Sequence, residues 1–267
     1  MPGSLVCVGV GMKLGAHISP IARNHIESAD VVFSLMSHGI VEQWIEQLNS
    51  DVRSLQPYYE VGKSRAKTYR EMIAVIVDEV KSGKKVVSAF YGHPGVFAKV
   101  PHDSVKLVKQ LGFEAWLEPG ISAESCLYAD LGVDPGKFGC QHYETSQFMF
   151  YKRHIDTAAY LVLWQVGMAG DKSLAKYTTD GRYRGELVKL LAEYYPLEHE
   201  VILYEAAVLP MDKVRVEQVK INRLSNIDVS QQTTLVIPPA TQMKKNLNLL
   251  KRLAIIDTNH LTLVTNK

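Results

Sequence analysis

The run Val86-Val87-Ser88-Ala89-Phe90 passes directly into Tyr91-Gly92-His93-Pro94-Gly95-Val96-Phe97, so a β-forming stretch ends in a turn carrying two glycines and a proline. A strand that feeds such a turn leaves backbone amides, not side-chain bulk, at its carboxyl edge, where open α/β sheets bind small ligands. Taken alone, Gly92-His93-Pro94-Gly95 is also an ordinary strand-to-helix loop. The same arrangement recurs on either side of it. Leu5-Val6-Cys7-Val8-Gly9-Val10-Gly11 is an apolar β-former ending in glycines, and Ile18-Ser19-Pro20-Ile21 then supplies a cap and a proline that open a helix. Gly112-Phe113-Glu114-Ala115-Trp116-Leu117 leads into Glu118-Pro119-Gly120-Ile121-Ser122-Ala123, where Ser122 opens a helix whose amino end carries small residues suited to a ligand. Strand, glycine turn and helix in alternation predict a parallel sheet with helices on its faces. A dinucleotide site is disfavoured, because Gly9, Gly11 and Gly15 do not give Gly-x-Gly-x-x-Gly.

Between these turns, Asp30-Val31-Val32-Phe33-Ser34 reads as a strand, and 40–48 as a helix with Trp44 as a core or interface anchor. A long helix is predicted over 64–82, capped by Ser64 and stopped by Gly83, with Met72, Ile73, Ile76, Val77 and Val80 as its buried stripe. Arg65 and Tyr69 lie one helical turn apart and share a face at its amino end. The preceding Pro57-Tyr58-Tyr59 cannot point both tyrosines into a core from a regular element, so one of the two is expected to be displayed. Another helix is expected over 105–111.

After Val133-Asp134-Pro135-Gly136 the pattern changes. Strands over 158–166, 201–206 and 233–237, with a helix over 185–195, predict a second α/β unit with a mixed sheet. The expected division is 1–135 for an N-terminal α/β domain, 136–240 for a C-terminal one, and 241–267 for a tail. That tail carries Leu247, Leu249, Leu250, Leu253, Ile255 and Ile256 and is expected to form a helix or arm packing on the chain itself or on a partner.

The balance of 30 Lys+Arg against 28 Asp+Glu gives no bulk electrostatic reason for a nucleic-acid or membrane partner. No apolar run is long enough to span a bilayer, and residues 1–7 enter a strand without a basic leader, which places the expected location in the cytoplasm. Cys7, Cys126 and Cys140 lack metal-ligand spacing, so free thiols and no metal are expected.

In combination, Val8-Gly9-Val10-Gly11, Tyr91-Gly92-His93-Pro94-Gly95-Val96-Phe97, Pro119-Gly120-Ile121-Ser122-Ala123-Glu124 and the two-part α/β layout resemble the tetrapyrrole methylase superfamily over roughly residues 5 to 240. The resemblance implies two domains with S-adenosyl-L-methionine in the cleft between them. The chain departs from cobalamin and siroheme members, having Gly9-Val10-Gly11-Met12-Lys13-Leu14 for Gly-x-Gly-Pro-Gly-Asp and Gly92-His93-Pro94 for Gly-Asp-Pro. With Arg65-Ala66-Lys67-Thr68-Tyr69 upstream and Leu163-Trp164-Gln165-Val166-Gly167 downstream, it is most similar to the borosin peptide α-N-methyltransferases, which methylate backbone amides of a ribosomally made precursor peptide.

That resemblance puts Arg65, Tyr69 and Tyr91 on catalytic positions, and Tyr58 and Tyr59 on the tyrosine-rich substrate channel. It implies cofactor contacts from Tyr91, His93, Val96 and Phe97 of the central turn, from Ser122 and Ala123, from Gln165, and from Ala206, Thr233 and Thr234. No apolar core peptide follows the tail, so a separate precursor chain is the expected substrate and a homodimer the expected assembly, as in the split borosin enzymes. A tetrapyrrole-type small-molecule methyltransferase and a catalytically silent peptide-binding module are the alternatives.

The chemistry asks for such residues. An amide nitrogen is a poor nucleophile until its proton is withdrawn or imidate character on its carbonyl oxygen is stabilised, and hydroxyl or guanidinium donors around that oxygen contribute about 3 to 4 kcal/mol each. A guanidinium beside a phenol favours the phenolate, so Arg65 is expected to bias Tyr69 toward taking up the amide proton while Tyr91 orients the amide. His93 is expected at the cofactor, not as the base.

Overall fold

The computed structural model describes residues 2–265, and side chains for residues 2–256. The first half contains β1 (Ser4–Gly9), α1 (Pro20–Glu27), β2 (Val31–Leu35), α2 (Gly39–Glu46), β3 (Val52–Ser54), α3 (Arg65–Lys81), β4 (Lys85–Phe90), α4 (Lys99–Gln110), β5 (Glu114–Glu118) and α5 (Ala123–Leu131). Its strands form one parallel five-stranded sheet in the order β3-β2-β4-β1-β5. Alternation along β1 shows why both faces are covered: Leu5 and Cys7 enter the core under α3 and α4, while Val6 and Val8 enter the one under α1 and α2. The α3 stripe lies where periodicity puts it, with Met72, Ile73, Ile76, Val77 and Val80 all buried. Ser64 caps the helix by accepting from Lys67 N–H, and Gly83 follows it in a left-handed conformation.

The second half contains α6 (Pro135–Phe138), β6 (Cys140–Glu144), α7 (Thr145–Phe150), β7 (Tyr160–Trp164), α8 (Gly181–Leu191), β8 (Glu200–Glu205), β9 (Arg215–Lys220) and β10 (Thr234–Ile237). Its five-stranded sheet runs β6-β7-β10-β8-β9, with β6 and β7 parallel and the other pairs antiparallel, the mixed sheet expected. Leu127 of α5 packs into this second sheet's cluster with Val162, Trp164, Tyr204 and Val236. The chain continues into α9 (Leu247–Thr265). Among the described residues no helix is long and apolar enough to cross a membrane.

Several boundaries differ from expectation. α4 starts six residues before 105, because Pro101 falls in its first turn, where a missing N–H leaves no helical bond unmade. α8 starts at Gly181 and ends at Leu191, because Asp180 caps it by accepting from Arg182 N–H. β7 stops at Trp164, because Gln165 turns left-handed with φ 60°. Tyr58 and Tyr59 are both half-buried, so neither is fully displayed; a short 3-10 turn over Gln56–Tyr58 lets both rings lie against the α3 core.

Candidate active site

Three strand ends meet at the carboxyl edge of the first sheet. A Cβ on Gly9 would lie 2.4 Å from the Gly92 carbonyl oxygen, and one on Gly120 would lie 2.5 Å from the same atom. Gly11 and Gly92 tie the first two ends together, Gly11 N–H donating at 3.1 Å and Gly92 N–H at 2.9 Å to each other's carbonyls. Only glycines permit that approach, and Gly92 additionally takes φ 67°. The edge therefore presents backbone, with Ser122 beside it as the α5 cap; its hydroxyl accepts from Ser125 N–H.

The second sheet contributes its own edge. β7 and β10 are antiparallel, as are β10 and β8, so the end of β7, the start of β10 and the end of β8 lie together. Those ends carry Gln165, Thr233, Thr234 and Ala206. Thr233 and Thr234 are buried. The Thr233 hydroxyl donates to Glu205 Oε1 at 2.5 Å and accepts from Ser230 N–H at 2.7 Å, which ties it into the ion pair of Glu205 with Arg215. Ala206 is half-buried against the cluster that holds Trp164.

The two edges face one another. Phe97 packs against Trp164 with ring centroids 5.7 Å apart and planes tilted by 42°, and Leu14 N–H donates at 2.9 Å to the Val208 carbonyl. Among the described residues three non-glycine positions have positive φ, Phe97 at 49°, Gln165 at 60° and Leu174 at 55°, and all three sit at this junction. Such conformations cost of order 1–3 kcal/mol each and persist where the surroundings over-determine them. His93 Nδ1 accepts from Gly95 N–H at 2.9 Å, so that nitrogen holds the turn together instead of serving as a free base. Val96 N–H donates back to the His93 carbonyl.

The expected catalytic residues are gathered at the same junction. Tyr59 and Tyr69 meet edge to face at 6.5 Å, and both Tyr91 and Arg65 act electrostatically on Tyr59. Burial, followed by the neighbouring Tyr69 and Tyr91, drives the Tyr59 phenol far above its ordinary pKa, and the Arg65 charge opposes this. Burial and then Tyr69 also raise Tyr91, which nevertheless keeps 43% of its surface exposed. Tyr59 and Tyr91 are thus neutral hydrogen-bond donors at ordinary pH. Tyr58 stands one residue off, its carbonyl accepting from Lys63 Nζ and the Thr68 hydroxyl.

Arg65 does not spend its guanidinium on a tyrosine. Nη1 lies against Met168 Sδ and donates at 3.2 Å to the Lys176 carbonyl, while Nη2 sits 3.6 Å from Asp171 Oδ2. Its backbone N–H donates at 2.7 Å to the Leu174 carbonyl. Met168, Asp171 and Leu174 carry no signal in the sequence, because the segment after Gly167 has neither periodicity nor a motif.

The family model for Tetrapyrrole (Corrin/Porphyrin) Methylases matches residues 4–222. A methyltransferase/ribosomally synthesized cyclic peptide gymnopeptides precursor from Gymnopus fusipes is 34% identical over 258 residues, 95% of this chain and 61% of the relative. The corresponding omphalotin A precursor from Omphalotus olearius is 35% identical, over 95% of this chain and 62% of its own length. A type I borosin cyclic peptide precursor from Coprinopsis marcescibilis is 35% identical, over 96% and 68% respectively. The chain thus spans 61% to 68% of the length of these three relatives. In fold it is similar to uroporphyrin-III-C-methyltransferase from Thermus thermophilus, with a TM-score of 0.65 at 17% identity over 89% of this chain and 95% of that one. Cobalt precorrin-4 methyltransferase gives 0.64 at 14% identity over the same shares. The chain belongs to the tetrapyrrole (corrin/porphyrin) methylase family, and within it stands with the borosin-type methyltransferases.

Proposed function

We propose that this methyltransferase uses S-adenosyl-L-methionine to methylate backbone amide nitrogens of a ribosomally made precursor peptide supplied as a separate chain. The observation that carries the reading is the gathering of Arg65, Tyr59, Tyr69 and Tyr91 beside a crevice edged by glycine backbone. The crevice suits the cofactor. Its first wall is the Gly9, Gly92 and Gly120 edge, onto which no side chain can grow, with Val96, Phe97, Ser122 and Ala123 next to it. Gln165 and Ala206 stand on the opposite wall, and Thr233 and Thr234 support it from the core. When bound, the cofactor supplies a methyl group on a positively charged sulfur.

The chain's own residues do the rest. Tyr59 and Tyr91, held as neutral phenols, donate toward a carbonyl oxygen that gains charge as its amide becomes imidate-like. Tyr69 is the phenol placed to take the amide proton, with Arg65 at the other end of the same helical turn. Peptide and cofactor bound over Tyr91, which is 43% exposed in the free chain, displace water from the site and so strengthen each of those electrostatic contacts. In this reading the two units divide at residue 135, and the tail from 241, of which 266–267 lie outside the described residues, supplies an interface arm of a homodimeric cytoplasmic enzyme.

Intact-mass spectrometry of the precursor peptide after incubation with the protein and S-adenosyl-L-methionine, with fragmentation to locate each gain, tests it. Single-methyl steps on backbone nitrogens are expected. No gain on the peptide, with methylation of a uroporphyrinogen instead, would assign the small-molecule reaction; tight peptide binding without any gain would assign a silent binding module.

A further inference from the structure

The segment 168–176 is built around one buried carboxylate. Asp171 is 2% exposed. Its Oδ1 accepts from Ser173 N–H at 2.9 Å and from the Ser173 hydroxyl at 2.6 Å, and Oδ2 accepts from Lys176 N–H at 3.0 Å. The loop so wound is pinned at both ends. Ser146 donates to the Met168 carbonyl, Thr179 donates to the Ala169 carbonyl, and Lys176 Nζ reaches Tyr183 Oη on α8 at 2.6 Å. What the loop offers to the other half of the molecule all converges on one residue. The Leu174 carbonyl, turned outward by the left-handed φ of 55°, takes the Arg65 backbone N–H; the Lys176 carbonyl takes Nη1; the Asp171 carboxylate faces Nη2 at 3.6 Å. The amide of the first α3 residue is one of the donors a helix cannot satisfy itself, and here the opposite half of the molecule satisfies it.

We infer that Asp171 is a positioning residue for Arg65, and that the loop 171–176 is an interdomain latch that fixes the Arg65 guanidinium beside the tyrosine cluster. The inference rests on the catalytic role proposed above for Arg65. A flexible arginine side chain loses substantial rotamer freedom when fixed. The latch meets that loss before substrate arrives, by a buried carboxylate and two carbonyls. It also explains the strain at Leu174, which aims a carbonyl across the cleft.

A double-mutant cycle of Asp171→Asn and Arg65→Lys tests the inference, with kcat and KM measured for the precursor peptide and for the cofactor. Asp171→Asn is expected to lower kcat about 10-fold or more while each KM moves less than about 3-fold, as for an interaction realised in the transition state. In the Arg65→Lys background the same change is expected to have no further effect, because residues acting as one unit are not additive. Independent, multiplying losses, or an unchanged kcat in Asp171→Asn, would overturn the inference. Should Asp171→Asn fail to fold, Ser173→Ala removes one hydrogen bond to the carboxylate; a smaller loss that vanishes in the Arg65→Lys background is expected, and a loss that persists there counts against the latch. A second readout needs no substrate. The Arg65 guanidinium protons, followed by NMR exchange, should be protected in the wild type and exchange about 10-fold faster or more in Asp171→Asn. Equal exchange in the two proteins overturns the latch whatever the substrate proves to be, whereas a wild type that methylates no peptide overturns only the peptide reading.

Discussion

Tyr69 is the residue on which the proposed chemistry turns, because its two phenolic neighbours are held neutral. Desolvation acts first on both Tyr59 and Tyr91; Tyr69 and Tyr91 then add to the effect on Tyr59, and Tyr69 to that on Tyr91. A group so disfavoured as an anion is a hydrogen-bond donor, not a base. Tyr69 acts on both of them, packs edge to face on Tyr59, and lies one turn along α3 from Arg65. Tyr69→Phe keeps the ring that packs against the α3 core and removes only the hydroxyl. The expected outcome is a turnover about 10²- to 10³-fold lower, the scale of losing one group that stabilises the developing charge, with cofactor affinity unchanged by calorimetry. Near-wild-type turnover in single-turnover mass spectrometry would remove Tyr69 from the role of base and return it to the aromatic lining.

At the scale of elements, what could be read from the chain was whatever carried period or glycine. β1, β4 and α3 are strongly patterned, and the turns at Gly92 and Gly120 mark the sheet edge where their strands end. Arg65 and Tyr69 were legible as a pair because helical spacing alone puts them on one face. The rest was hidden for physical reasons. β9, Arg-Val-Glu-Gln-Val-Lys, is an edge strand with little buried surface, and β6, Cys-Gln-His-Tyr-Glu, is half-buried throughout, so neither shows a clean alternation. Yet β6 carries a network that no motif announces. Trp164 Nε1–H donates at 3.1 Å to His142 Nδ1, His142 Nε2 lies 2.7 Å from Tyr128 Oη, and Tyr128 donates at 3.0 Å to Glu124. The chain of donors is consistent only if His142 is neutral with its proton on Nε2, since a proton on Nδ1 would oppose the indole N–H. Burial lowers the His142 pKa, and the facing Glu124 only partly offsets it; Tyr128 and Cys140 complete the titratable surroundings. A histidine with a depressed folded pKa binds its proton more readily in the unfolded chain, so stability falls as pH drops through the ordinary value near 6.5. The melting temperature of the wild type should therefore decline from about pH 7 to about pH 5, and His142→Gln should flatten that decline. An equally steep profile in the variant would place the acid sensitivity elsewhere.

At the scale of the whole molecule, the two sheets account for their own cores, but α9 does not. Residues 241–256 are exposed throughout, although Leu249, Leu250, Leu253 and Ile256 fall on one face of the helix. The helix begins from Asn246, whose side chain accepts from Leu249 N–H at 3.0 Å, so over the described side chains, to residue 256, it has a cap but no core to lean on. A single helix of this length is marginal in water without packing, and covering each of those side chains would contribute about 1.5–3 kcal/mol. A second copy of the chain supplies a matching apolar face at equal concentration, which is the simplest cover. Light scattering should accordingly report twice the chain mass at micromolar concentration, and the paired substitution Leu250→Glu with Leu253→Glu should halve it. Thermal unfolding of the two sheets should change little in that variant, since neither residue joins their clusters. A wild type that stays monomeric would mean that the helix is covered by something other than its own copy, and adding the precursor peptide while following Leu250 and Leu253 by hydrogen exchange would then show whether the peptide is that cover.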